Sequence, residues 1–332
     1  MLDTHLLGTT DIPVTKMGLG MAAMGRPGYI NLGHADDLKR DYDADAMEER
    51  AFTVLDAAYA AGVRYFDAAR SYGRGEAFLA HWLHSRQVDS QSVGIGSKWG
   101  YTYTADWKVN AQHHEIKEHS LAVLNRQWDE SWALLGSYLD LYQIHSATLE
   151  SGVMQNHDVL SRLAELKAEG VAIGFSVSGP RQADVIAEGM KQMIDGVPLF
   201  DCVQATWNIL EPSSGDILAE AHARGVGIIV KEALANGRLT PRNQSAEFHP
   251  QMEMLQAQAG RLGTTVDALA LSAVLRQPWV DVVLSGAATL EHLHSNLAAI
   301  DVSGDADLDA VLTSMPEEPE VYWDIRSNLA WN

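Results

Sequence analysis

Apolar runs of four to seven residues alternate with amphipathic segments along nearly the whole chain. The runs occupy residues 16–20, 63–68, 92–98, 139–145, 172–177, 200–206, 227–230 and 281–284. Such short runs, flanked by glycine and polar residues, have the length of strands buried on both faces. Helical periodicity fills the intervals. Between residues 46 and 61, Phe52, Leu55, Ala58 and Tyr59 recur at three- and four-residue spacing, and Gly62 stops the pattern. Further helices are predicted over 76–86, 115–135, 158–169, 216–223, 252–261, 266–276 and 290–299, with one starting at Pro180, a favoured first-turn residue. Eight strand–helix units without an intervening linker predict a closed (β/α)8 TIM barrel rather than an open sheet, one domain over residues 1–332.

Three additions decorate this pattern. Residues 5–16, with Gly8 and Pro13 between polar neighbours, predict an N-terminal β-hairpin that plugs the barrel bottom. Residues 26–45 and 100–113 are long polar loops after the first and third strands, on the C-terminal face where barrel enzymes place their chemistry. The aromatic tail 320–332 is expected to pack across the barrel or to line a pocket.

Composition narrows the function. Apolar residues make up 46% of 332, enough for a continuous core. No apolar run reaches the roughly 18 residues of a membrane span, and the N-terminus lacks the basic and apolar stretches of a secretory signal. Cys202 is the only cysteine, which excludes an internal disulfide and points to a reducing cytoplasm. Its place in an apolar run makes it a small core residue rather than a nucleophile. The formal charge of −20 is dispersed along the chain and disfavours nucleic acid and anionic membranes as partners. A small molecule remains the expected ligand.

Four polar residues stand at the ends of successive apolar runs: Asp67 and, five residues on, Tyr72 after the second, Lys98 at the third, His145 at the fourth. A barrel directs all of them to one mouth. Proton transfer by a phenol near neutral pH calls for a neighbouring cation, since a free tyrosine titrates near 10. An ammonium at ~4 Å favours the phenolate by up to about 4 kcal/mol before desolvation is subtracted. Lys98 is therefore expected to acidify Tyr72, Asp67 to keep Lys98 charged, and His145, as neutral imidazole, to hold a carbonyl oxygen. Any one of these residues alone would more readily be plain core.

This constellation resembles the catalytic tetrad of the aldo-keto reductases, and the resemblance extends over about residues 5–300. It implies an NAD(P)-dependent oxidoreductase that interconverts a carbonyl and an alcohol by hydride transfer, with Tyr72 supplying or taking the proton. It also places Ser176 and Gln204 on the nicotinamide carboxamide, although Val177 stands where the family has asparagine. Lys231 occupies the end of strand seven, where many relatives stack a tyrosine on nicotinamide; Trp99 and Trp207 are alternative platforms. Leu234, Gly237 and Arg238 are expected at the pyrophosphate, Gly20 and Met21 beside cofactor or substrate, and Gly286, His292 and Asn296 at the adenosine end. Relatives preferring NADP carry a cation in that last segment. Its absence here favours NAD, or dual use, over the family default of NADP, and an NAD-linked site favours oxidation in cells.

Met24, Tyr29 and Trp99 are candidate substrate walls. His114 and His119 lie about 140° apart on a helix, so they make no zinc motif and are expected as exposed histidines at a helix start. No metal is expected. The charged run 36–41 reads as a solvated loop. A rival function is a redox-sensing, cofactor-binding subunit on the same fold, acting through a protein partner. A metal-dependent barrel isomerase or hydrolase is less favoured, because no carboxylate and histidine cluster converges at the strand ends.

Overall fold

The eight apolar runs close into one parallel barrel in the computed structural model, which describes residues 2–332. Its strands are β1 (Met17–Gly20), β2 (Tyr65–Asp67), β3 (Gly94–Trp99), β4 (Leu141–Ala147), β5 (Ala172–Val177), β6 (Cys202–Thr206), β7 (Gly227–Lys231) and β8 (Val282–Ser285). They pair in chain order, and β8 returns to β1. Successive side chains on each strand alternate between barrel interior and helix layer. On β3, Lys98 turns inward to Asp67, while Ile95 and Trp99 pack outward into the main apolar cluster. Gly96 makes this interior possible: a Cβ there would overlap the Tyr65 hydroxyl.

The predicted hairpin forms from Thr4–Leu6 and Pro13–Thr15. Leu7, Ile12 and Val14 pack on Tyr65, Leu141, Cys202 and Val282, so the hairpin closes the end where the strands begin. Cys202 is buried in this plug, and burial pushes its thiol well up from its ordinary range. One further device recurs at this end. Asp140, Asp201 and Asp281, just ahead of β4, β6 and β8, accept from the N–H groups of Ile95, Ile173 and Ile228 on the preceding strands, at 2.8, 2.9 and 2.7 Å. Each carboxylate satisfies a donor that the staggered barrel edge leaves unpaired.

Most predicted helices form within a few residues of expectation, with two corrections. The helix predicted from 115 begins at Leu121, capped by Ser120. Glu115–Lys117 is instead a strand paired with Tyr101–Tyr103, so His114 and His119 start no helix. The helix expected from Pro180 begins at Gln182. Beyond β8, the tail adds helices Ala306–Thr313 and Pro319–Ser327, the latter burying Tyr322 and Trp323. The last residue then pairs with the loop after β1: Tyr29 and Asn332 exchange two backbone hydrogen bonds of 3.1 Å. Tail and loop thus roof the barrel mouth together.

Candidate active site

A cavity of about 580 Å³ lies at the C-terminal ends of the barrel strands. Asp67, Tyr72, His145 and Gln204 line one region of it, and Lys98 lies just behind them. The remainder is lined by the 234–237 loop, by Gly286–Ala288, and by Asp37, Arg242 and His292.

The four candidate catalytic residues come together. Asp67 and Lys98 form a direct ion pair with side chains 2% and 0% exposed. Lys98 Nζ also donates to the Ala68 carbonyl at 2.9 Å. The second oxygen of Asp67 accepts from Gln204 at 2.9 Å, Tyr65 at 3.3 Å and Gln143 at 3.4 Å. An acceptor-only group thus sits among donors, which fixes it as a carboxylate.

Tyr72 places its ring 5.0 Å from Lys98 Nζ and 5.3 Å from the Arg26 guanidinium. The expected acidification by Lys98 is not what this geometry gives. Burial first, and then the Asp67 carboxylate, push the Tyr72 phenol well above its ordinary value; Arg26 opposes them. The ammonium that was to favour phenolate is already neutralised by its aspartate. Tyr72 is a protonated phenol in this state.

His145 meets Tyr72 edge to face at 5.6 Å. Burial and the nearby Lys98, Arg26 and Lys231 charges hold its pKa well below 6.5, so it is neutral imidazole as expected. Its backbone carbonyl accepts from His119 Nε2 at 2.9 Å. His119 is therefore no exposed histidine: burial lowers it to about 4. His114 donates to the Val109 carbonyl at 2.8 Å and stacks on Trp331 at 3.9 Å. Trp331 in turn lies under Arg26, at 4.8 Å.

Lys231 lines the cavity at the end of β7 and donates to Thr206 Oγ1 at 2.8 Å. Burial lowers it to about 8, against the pull of Glu232. Glu232 accepts from Arg326 at 2.6 Å; despite burial, Arg326 and Lys231 hold its carboxyl at about 2.

Other expected site residues divide. Gly20, Tyr29, Leu234, Gly237, Gly286, His292 and Asn296 all line the cavity. Met21, Met24 and Trp99 do not; they are packed in the core. Trp99 follows inward-facing Lys98, so strand alternation turns it out. Ser176 is also removed from the cavity surface: its hydroxyl accepts from the Ser146 N–H at 2.8 Å. Ser146 lines the cavity instead, turned there by an irregularity of β4 with φ of 51°. Trp207 lies away from the cavity and packs edge-on against Trp279. Arg238 is committed to Glu317 at 2.9 Å and faces Tyr322 rather than the cavity.

The end of the cavity expected to hold adenosine departs furthest from the sequence reading. The segment after β8 has no cation of its own, but the loop after β7 brings Arg242 to it, with Nη2 3.1 Å from His292 Nε2. Arg242 is itself paired with Asp37, at 2.8 Å through Nη1. Asp37 lies in the charged run read as solvated; Asp36 and Arg40 are exposed there, whereas the Asp37 side chain is 7% exposed.

The residues present fit a nicotinamide dinucleotide. Gly20 and Gly286 line the cavity uncrowded: a Cβ would meet nothing nearer than 3.7 and 4.0 Å. The Asn236 amide oxygen and His145 Nδ1 are buried without partners. A volume of this size, lined by glycine backbone and a few convergent polar groups, suits an extended cofactor with a small substrate beside it.

Residues 16–309 match the Aldo/keto reductase family. The chain is 26% identical to the NADH-specific methylglyoxal reductase of Escherichia coli over 336 residues, covering 91% of this chain and 94% of that one. It is 26% identical to pyridoxal 4-dehydrogenase of Microbacterium luteolum over 341 residues, covering 91% and 94%. The solved aldo-keto reductase AKR11C1 from Bacillus halodurans shares the fold with a TM-score of 0.74 and 21% identity, covering 96% of this chain and 97% of that one. Match and fold agree: the chain belongs to the aldo/keto reductase family, NAD(P)-dependent oxidoreductases acting on carbonyl and alcohol groups.

Proposed function

We propose that the chain interconverts a small aldehyde, ketone or sugar and its alcohol at the Tyr72 end of the cavity, with NAD(P)H held along the rest. One observation carries this reading: a half-buried phenol, a neutral imidazole and an aspartate-anchored ammonium converge on a cavity that continues into a glycine-lined groove. The bound cofactor supplies the hydride. Tyr72 supplies the proton, and its protonated state serves carbonyl reduction directly. Alcohol oxidation needs the phenolate and gains from high pH. His145 Nε2, on the cavity side of the ring, donates to the substrate oxygen and fixes its position. The Asp67–Lys98 pair lies beside Tyr72, with Lys98 Nζ 5.0 Å from the ring.

Ser146 and Gln204, with Ser176 behind Ser146, hold the carboxamide of the nicotinamide in this reading. Tyr29 and Trp331 wall the substrate. Of the two cofactors we favour NAD, consistent with the NADH-specific relative. We place the protein in the cytoplasm, consistent with a lone cysteine that is unpaired and buried; no described helix is long and apolar enough to cross a membrane. The alternative of an accessory redox-sensing subunit finds no support among the relatives.

The test is a screen of aldehydes and sugars, each with NADH and NADPH, following absorbance of the reduced cofactor. Tyr72→Phe is expected to keep the fold and cofactor affinity while losing at least about a hundredfold in turnover. Near-normal turnover in that variant removes Tyr72 from its role.

A further inference from the structure

We propose that Asp37 is the residue that selects the cofactor, accepting the adenosine ribose 2′-hydroxyl and excluding a 2′-phosphate. The proposal rests on the nicotinamide dinucleotide reading above. If the reacting end of such a ligand lies at Tyr72, its adenosine must lie at the other end of the cavity, where Asp37, Arg242 and His292 meet.

Arg242 is the permanent cation there, and both of its terminal nitrogens are engaged, leaving only Nε–H. Nη1 faces the carbonyls of Leu32 at 3.2 Å and Gly33 at 3.1 Å as well as Asp37 Oδ2 at 2.8 Å. Nη2 donates to Asp37 Oδ1 and to His292 Nε2. Two terminal nitrogens carry four hydrogens, and five acceptors already surround them. A phosphate arriving here finds no free fork. The Nε2 lone pair of His292 is itself taken by a guanidinium hydrogen.

Charge decides the sign. Asp37, Glu291 and Asp267 line this end against the single guanidinium. The Asp37 carboxylate lies 3.6 Å from His292 as well as on Arg242, so it stands among the groups that would meet the ribose. A carboxylate accepts a hydroxyl hydrogen and repels a phosphate dianion. Asp37 comes from the loop after β1 and reaches across to loops after β7 and β8, so discrimination is built from the opposite wall of the groove. Release of Arg242 from Asp37 would turn the same site toward phosphate.

The experiment is direct binding of NADH and NADPH, followed by cofactor fluorescence without substrate, to the full chain and to Asp37→Asn and Asp37→Ala. Asn keeps the shape and one acceptor for Arg242, so it guards against loss of the loop fold. The unsubstituted protein is expected to bind NADH at least about tenfold more tightly than NADPH. Both variants should raise NADPH affinity about tenfold or more, with NADH affinity unchanged or lower, and adding Arg242→Ala should abolish the gain. An NADPH-to-NADH affinity ratio within about twofold of the unsubstituted protein's in both Asp37 variants overturns the role of Asp37. Failure of the unsubstituted protein to bind either cofactor overturns the dinucleotide reading itself, a distinct result.

Discussion

Replacing Asp67 by asparagine tests the electrostatic centre of the site without changing its shape. Its two carboxylate oxygens face different donors: one takes Lys98, the other Gln204, Tyr65 and Gln143. An asparagine amide has one acceptor and one donor face, so whichever way it turns, its NH2 group opposes an N–H or O–H. The Lys98 ammonium, with its side chain 0% exposed, would lose its only charged partner and keep at most the Ala68 carbonyl and a neutral amide oxygen. Two unit charges in contact, ~3 Å apart at an effective dielectric near 20, attract by about 5 kcal/mol. Removing one partner of such a buried pair typically costs about 3–5 kcal/mol.

The magnitudes order the variants. Lys98→Met leaves Asp67 with three donors, so it should cost less, about 2–3 kcal/mol. Asp67→Asn should cost about 3–5 kcal/mol. The double variant removes the stranded ammonium and should be less destabilised than the sum by about 2–3 kcal/mol. Urea unfolding of all four proteins at pH 7 gives the cycle. Additivity within about 0.5 kcal/mol, or Lys98→Met more costly than Asp67→Asn, would refute the account of a carboxylate among donors holding an isolated ammonium.

Two further outcomes follow from other groups. Lys231 titrates at about 8 in the cavity, so its charge is lost as pH rises through that value. Affinity for the positively charged oxidised cofactor, relative to the reduced form, should rise between pH 7 and 9; Lys231→Met should flatten the curve, as read by binding titrations. Asp140 has its carboxyl raised by burial to about 7, against an ordinary 3.8. The folded state therefore holds a proton that the unfolded chain has released. Stability from this group is complete below pH ~4 and is lost as pH climbs through about 7. A shift this large would be worth up to about 4 kcal/mol. Partial solvent contact reduces the expected loss to about 1–2 kcal/mol between pH 5 and 8. Asp140→Asn, which keeps an acceptor for the Ile95 N–H, should remove that slope; an unchanged slope in denaturant unfolding shows that the burial is relieved by solvent.

What could be read from the chain follows from which interactions are local. Strand alternation places Lys98 and Trp99 on opposite faces, so Trp99 could have been assigned to the core from its neighbour alone. Asp67, Lys98 and His145 were legible because barrel topology sends every strand end to one mouth, and Tyr72 because it follows Asp67 so closely. The groups brought by loops were not. Ser146 replaces Ser176 at the cavity surface through one residue at positive φ within β4, a local distortion that no periodicity reports. Arg242 and Asp37 are 205 residues apart and meet only because two loops cross over the groove. Within the run 36–41 the sequence shows only a polar stretch, yet Asp37 differs from exposed Asp36 by its burial against that arginine. In the proposal above, cofactor choice turns on such a pair. The segment after β8 has no cation of its own, yet charge in a cavity is a sum over all its walls, and Arg242 and its neutralising carboxylate come from two other loops. Phosphate affinity therefore depends on which donors remain free, and at Arg242 the acceptors around the two terminal nitrogens outnumber the four hydrogens there, leaving only Nε–H.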